Sequence, residues 1–294
     1  MDKISIQDKT LEEVCQEYKL GEEENRRISR TINEIMLEGK TPVQHPVAVI
    51  DIAPPGSGKT GLNGMGFNQF PNNNVVIVNS DELKPFHPRI NEIAKLYPQY
   101  YTKVTNQESN AWTDYLFDIA VAGSYNIIFE GTGRNIKLLQ KMIRQMPKYK
   151  IVIRAMAVNE LNCLMSIIER YEGQIIGKGW GRLVTLDHFY KAYTEILETI
   201  GQLEKMAEVD LIEVYMRGQE PTKPIRIYSN ESKEFLNARL AIINGRQLDF
   251  NHAKRYYEDT FRKEIHTFSK DLLEEQEILN KIDSLHKVKE EYEL

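Results

Sequence analysis

A single stretch constrains this chain more than any other: the apolar run VAVIDI at 47–52 passes straight into Ala53-Pro54-Pro55-Gly56-Ser57-Gly58-Lys59-Thr60. The second half matches a phosphate-binding loop, GxxxxGK[ST], with Ala53 where the pattern opens on Gly. Such a loop works only between a buried strand and a helix, where its N–H groups and the helix's positive end converge on phosphate oxygens. An apolar strand directly before the motif meets that requirement. The nucleotide-binding residues expected are Pro55, Gly56, Ser57, Gly58, Lys59 and Thr60. Lys59 would reach the β- and γ-phosphates and the Thr60 hydroxyl would hold Mg²⁺. The helix that follows carries Gly61, Gly64 and Gly66. Each costs on the order of 1 kcal/mol relative to Ala, so a short helix is expected.

Four more apolar runs repeat the texture of the first: VVIVN at 75–79, NIIFE at 126–130, IVIRAMAV at 151–158 and DLIEVYM at 210–216, with IRIYS at 225–229 as a further candidate strand. Runs of this kind, separated by helix-length segments, predict an α/β fold: a P-loop kinase-type parallel sheet flanked by helices. Before it, Thr10 and Glu13 form a capping box, Gly21 is placed to end that helix, and Ile28, Ile32, Ile35 and Met36 mark a second helix up to Gly39. Beyond it, Phe261, Ile265, Phe268, Leu272, Leu279, Ile282 and Leu285 form an apolar stripe in a charged tail, read first as a core-facing helix side. The predicted organisation is an N-terminal helical extension (1–45), a P-loop kinase domain (46–230) and a C-terminal helical extension (231–294).

Composition excludes several classes. With 41% apolar and 28% charged residues over 294 positions, the chain is neither mostly disordered nor a small disulfide scaffold. No apolar run approaches the roughly 18 residues of a membrane span, and the first residues lack a secretory pattern. Cys15 and Cys163 stand far apart without metal-type spacing, which suits reduced thiols packed in a cytoplasmic protein. A net charge of −5 argues against a nucleic-acid partner and leaves small anionic substrates open. Of the six histidines, His45, His252, His266 and His286 have no metal-like partner set and receive no role.

Phosphoryl transfer also needs a carboxylate beside the acceptor and cations on the moving phosphoryl group. Asp81 follows VVIVN and Glu130 ends NIIFE, at the carboxyl ends of strands where open parallel sheets bind ligands. Either suits a proton acceptor or an orienting group for Mg²⁺. Asp81 equally suits a helix N-cap. Arg170, late in the helix ELNCLMSIIERY, and Arg182, after glycines 173, 177, 179 and 181, flank a candidate lid.

Together, PPGSGKT at 54–60, VNSDELKPFHP at 78–88, FEGTGRN at 129–135 and AMAVNELNCLMSIIERYE at 155–172 followed by Arg182 resemble the zeta toxin family of P-loop kinases. KVTNQESNAWTDYL at 103–116 resembles that family's acceptor-pocket helix more weakly, and the resemblance covers roughly 46–230. It implies an enzyme that phosphorylates the 3′-hydroxyl of the amino sugar of UDP-N-acetylglucosamine with ATP or GTP and Mg²⁺. It also implies a small helical antitoxin as partner. By the same resemblance Asp81 is the catalytic base, Lys59, Arg170 and Arg182 serve the transferring phosphoryl group, and Asp114, Glu130, Thr132 and Arg134 line the sugar-nucleotide site. Asn79 stands where many members carry another acid, Lys84 where arginine is common, and Asp114 where Glu is frequent. The one-methylene difference at Asp114 bears on acceptor preference. Two other readings stay open: a P-loop kinase for another sugar nucleotide, dinucleotide or nucleic-acid end, and a nucleotide-switched binding module.

Overall fold

The computed structural model describes residues 9–218, 220, 223–264 and 273–287. Six strands form one sheet in the order β2-β3-β1-β4-β5-β6. They are β1 (Val47–Ile52), β2 (Val76–Val78), β3 (Ile127–Gly131), β4 (Lys150–Met156), β5 (Leu211–Met216) and β6 (Ile225–Ser229). The first five are parallel, and β6 closes one edge antiparallel to β5. β1 lies between β3 and β4, so every residue in it but Val47 is buried. A strand covered on both faces needs this unbroken apolar run. The carboxyl ends of β1, β2 and β3 share one rim, which carries the P-loop, Asn79 to Asp81, and Glu130 to Thr132.

The helices are α1 (Leu11–Tyr18), α2 (Glu22–Leu37), α3 (Lys59–Gln69), α4 (Ser80–Leu83), α5 (Ile90–Leu96), α6 (Tyr101–Ala122), α7 (Ile136–Arg144), α8 (Glu160–Lys178), α9 (Leu186–Leu203), α10 (Ala238–Tyr256), α11 (Arg262–Glu264) and α12 (Leu273–Lys287). No helix among the described residues is long and apolar enough to cross a membrane. Ile50, Ile52 and Ile153 of the sheet pack with Leu116, Ile143, Ile196 and Ile242 in the main core. A second cluster joins Leu62 of α3 to Leu164 and Ile168 of α8, Phe189 of α9 and Ile278 and Ile282 of α12.

Three local expectations change. Thr10 and Glu13 form the capping box, but Gly21 does not end α1: Lys19 does, and Gly21 is the N-cap of α2 with φ −65°. The helix after the P-loop is not short; it runs 11 residues despite its glycines. Gly66 gives the reason, since a Cβ there would lie 2.9 Å from Ile128 Cδ1, so the absent side chain lets the helix sit close on the sheet. Gly173 and Gly177 are likewise inside α8 rather than in a loop, and only Gly179, with φ +76°, caps it. The candidate lid therefore shrinks to the connection 179–185, and Arg170 sits mid-helix.

The N-terminal helices pack against the sheet's helical cover, chiefly α6. Val14 and Tyr18 of α1 are buried against Ile93, Ala94, Tyr97, Tyr101 and Val104, and Ile32 of α2 enters the main core. In the C-terminal stripe Phe261 and Ile282 are buried and Leu279 and Leu285 pack beside them, as a core-facing side requires. Ile265, Phe268, Leu272 and His266 lie outside the described residues.

Candidate functional site

The phosphate cradle is shaped by backbone. Gly56 and Gly58 hold φ of +76° and +83°, the left-handed region that favours glycine. At Gly56 a side chain is also excluded by contact, since a Cβ would come within 2.1 Å of the Cys163 carbonyl oxygen on α8. Ser57 turns its hydroxyl back to the Pro54 carbonyl at 2.7 Å. Ala53, the departure from the motif, is fully buried and donates its N–H to the Gly131 carbonyl at 3.1 Å, so its methyl group belongs to the core. From the end of β5, Arg217 grips the loop. Its guanidinium donates to the Gly56 and Ser57 carbonyls, and reaches α8 at Asn162 Oδ1 (2.7 Å) and Ser166 Oγ (2.9 Å). On the loop these bonds engage carbonyls only, so they take none of its N–H groups from an anion.

Below the loop a row of ionisable side chains crosses the sheet. The β1–β3 and β1–β4 registers pair Asp51 with Glu130 and with Arg154, and Arg154 pairs with Glu213. Asp51 is fully buried, and burial pushes its carboxyl up to about 7 although Arg154 and Lys59 oppose this. Burial likewise lowers the Lys59 ammonium, while Glu130, Asp81 and Asp51 pull it back up. Lys59 thus sits among three acidic side chains that oppose the loss of charge burial favours.

Across the cavity stands the second half of the site. Asn79, not Asp81, caps α4: its Oδ1 accepts from the Asp81 N–H at 3.0 Å. The Asn79 amide also donates to Glu130 Oε2 at 2.9 Å, tying the ends of β2 and β3. Freed from capping, the Asp81 carboxylate pairs through Oδ1 with Lys84 Nζ (2.5 Å) and Arg182 Nη1 (2.9 Å), with 54% of its side chain exposed. Burial alone would raise its pKa, but Arg182 and then Lys84 hold the carboxyl well below the usual range. Burial lowers Arg170, with Arg182 adding repulsion and Asp81 opposing. The Arg182 N–H is held by Gln174 Oε1 at 2.8 Å, and Trp180 packs on Tyr101 with ring centroids 5.0 Å apart. The 179–185 connection is thereby fastened at both of its glycine-flanked positions.

One cavity of about 570 Å³ brings together the P-loop with Lys59 and Thr60, Asp81, Thr132, Arg170 and Arg182. That volume falls within the range of about 300–1,000 Å³ seen for small-molecule sites. Residues 33–233 match the family model described as zeta toxin. The chain belongs to the zeta toxin family. A zeta toxin from Enterococcus hirae is 32% identical over 148 residues, covering 50% of this chain and 51% of that protein. One from Streptococcus pyogenes is 33% identical over 141 residues, covering 47% and 49%. The chain thus spans about half the length of the curated relatives it matches. A solved chain of the PezAT chromosomal toxin–antitoxin system of Streptococcus pneumoniae superposes with TM-score 0.66 at 18% identity, over 91% of this chain and 96% of that one. At that identity the likeness is one of fold.

Of the residues that zeta toxin resemblance assigns to the sugar-nucleotide site, Thr132 lines the cavity. Arg134 stands beside it, its Nε donating to Thr132 Oγ1 at 3.2 Å. Glu130 lies next to Lys59 and Asn79. Asp114 is not among the cavity's lining residues: it is exposed on α6, with Asp118 and Lys141 as its charged neighbours.

The cavity also includes residues that sequence reasoning passed over. Arg217, Asn162, Ser166, Glu169 and His188 line it, as do His252 and Tyr256 from α10. His252, given no role above, therefore has a place in the cavity wall. A signal existed for some: Asn162, Ser166 and Glu169 recur at helical spacing on the helix that carries Arg170. For Arg217 and the α10 residues the sequence offers none, because strand order and helix docking bring them there.

Proposed function

We propose that the chain is a kinase that transfers the γ-phosphoryl group of ATP or GTP to the 3′-hydroxyl of the amino sugar of UDP-N-acetylglucosamine. The observation that carries this reading is the shared cavity of Lys59, Thr60, Asp81, Arg170 and Arg182. The P-loop amides and Lys59 bind the phosphate tail. Thr60 and a neighbouring carboxylate suit Mg²⁺ brought in with the nucleotide, an ion that needs few protein ligands and supplies charge neutralisation when bound.

In the transfer the acceptor oxygen forms its bond to the γ-phosphorus as the β–γ bridge bond breaks, and ADP or GDP leaves. The acceptor proton passes to the Asp81 carboxylate. A low pKa makes Asp81 a weak base, which is tolerable because phosphoryl transfer is mostly a matter of positioning and charge. Arg170 and Arg182 supply that charge. Asp81 must exchange a cation for the acceptor hydroxyl before it can act, so acceptor binding loosens the pair with Lys84 or Arg182. Arg134, Thr132 and Glu130 hold the sugar nucleotide, and Asp114 is assigned to it by the family resemblance alone.

The resemblance further supports a small helical antitoxin as partner, and the two free cysteines suit action in the cytoplasm. The deciding experiment is a screen of γ-³²P transfer from ATP and GTP over nucleotide sugars, with Asp81→Asn as control. Label on UDP-N-acetylglucosamine that the control fails to produce supports the reading. Label on a different nucleotide sugar would reassign the acceptor, and no label on any would overturn the enzyme.

A further inference from the structure

Beside Arg217 the cavity has a wall that the phosphoryl-transfer residues do not use. That wall is formed by Ser166 and Glu169 on α8 and His252 and Tyr256 on α10. α10 begins at Ala238, beyond residue 233 where the family match stops. On each helix the spacing, three or four residues, sets the pair on one face. The two helices are joined at their base, where Asp249 accepts from the Asn162 amide at 3.1 and 3.2 Å and from the Asn159 N–H at 2.8 Å. Nearer the mouth the Tyr256 hydroxyl donates to Glu169 Oε1 at 2.5 Å. Glu169 makes no other hydrogen bond among the described residues, so one acceptor oxygen is uncommitted.

The phosphates set a direction. If the transferring end lies at Asp81, Arg170 and Arg182, the nucleoside must leave Lys59 and Thr60 along another wall, and the wall gathered about Arg217 rather than Asp81 is the one these residues form. We infer that α10 completes the donor site: the purine base of the nucleotide stacks on Tyr256 beside His252 and donates an amino or ring N–H group to Glu169. A carboxylate only accepts, so it suits the 6-amino group of adenine or the N1–H and 2-amino groups of guanine. It repels the two carbonyls that flank the single N–H of uracil, which selects against a pyrimidine donor of that type. The inference rests on reading the P-loop as a nucleotide cradle.

Calorimetric titration of the full chain with ATP, GTP, UTP and inorganic tripolyphosphate, each with Mg²⁺, separates the two ideas. Tyr256→Ala should weaken ATP and GTP about tenfold, as loss of one base–aromatic stack does. It should leave tripolyphosphate, which has no base, unchanged. Tyr256→Phe should retain most of the ATP affinity, and Glu169→Gln should narrow the preference for purines over UTP. Unchanged ATP affinity in Tyr256→Ala would overturn the inference and leave the cradle standing. A Tyr256→Ala protein that lost tripolyphosphate as well would also overturn it, the ring then holding the fold rather than a base. Tripolyphosphate binding that survives Lys59→Ala intact would instead overturn the cradle itself.

Discussion

The two banks of the cavity are built by different means. The phosphate side is six consecutive residues whose backbone angles are set by Gly56 and Gly58 and held from behind by Arg217, with the Cys163 carbonyl excluding a side chain at Gly56. The acceptor side is assembled from side chains on α4, β3, α8 and the 179–185 connection, and its central carboxylate is half-exposed within ion pairs. The first is preorganised by chain geometry and needs no rearrangement to receive phosphate. The second is held by ion pairs that, in the proposed reaction, change partners when the acceptor arrives. Substitutions on the two banks should therefore separate binding from turnover.

Asp81→Asn carries the largest expected effect. It removes the proposed proton acceptor without touching the cradle, so kcat should fall by about 10²–10⁴ while ATP affinity stays near wild type. Transfer kinetics beside calorimetry check this, and wild-type turnover would remove Asp81 from the mechanism. The same residue sets a pH expectation. A carboxyl lowered below its ordinary value by Arg182 and Lys84, against the burial that would raise it, loses its proton before pH 4 is reached. The rate should then show no acidic limb from Asp81 between pH 5 and 8. Arg182→Ala should shift that limb upward. Next in size is Lys59→Ala, which should weaken nucleotide binding and lower turnover together, by about 10²–10³ in kcat/KM. A variant that lost turnover alone would place Lys59 functionally on the acceptor bank and break the comparison.

The same division explains what could be read from the chain. The cradle is local, so strand, loop and helix start were legible from VAVIDI and PPGSGKT, and the five parallel strands from their apolar runs. Asp81 was legible as a strand-end acid, but its competing use as an N-cap was settled only by Asn79 two residues earlier, which takes that bond itself. Arg170 and Arg182 could be nominated by charge beside glycines. Their geometry could not, because Gly173 and Gly177 stay helical and only Gly179 adopts a positive φ. Arg217 was invisible: it follows a strand with no motif and reaches the loop because β5 lies two strands from β1. Asp114 was carried over from family likeness alone, and stands at the exposed face of α6 rather than in the cavity wall.

Arg217 offers the next test. Its guanidinium is bound to two loop carbonyls and two side chains of α8, so Arg217→Ala should loosen the cradle and weaken ATP about 10–100-fold, the loss expected for hydrogen bonds from a charged donor. Arg217→Lys should recover little, since an ammonium cannot span the same fork of acceptors. Comparable ATP affinity in wild type and Arg217→Ala would mean the glycine angles alone fix the loop, which would sharpen the contrast between the banks.

The smallest effect belongs to Trp180. Its ring lies against Tyr101 of α6, next to the cluster where α1 packs, and two residues further on stands Arg182. An aromatic pair of this kind is worth about 0.5–1.5 kcal/mol beyond its buried area. Trp180→Ala should let the 179–185 connection wander and lower the population in which Arg182 faces Asp81. The expected outcome is a two- to tenfold fall in kcat with ATP affinity unchanged, and Trp180→Phe should restore most of it. If Trp180→Ala weakened ATP binding instead, the connection would be part of the phosphate bank. The boundary between geometry-built and charge-built halves would then have to be drawn on the far side of Arg182.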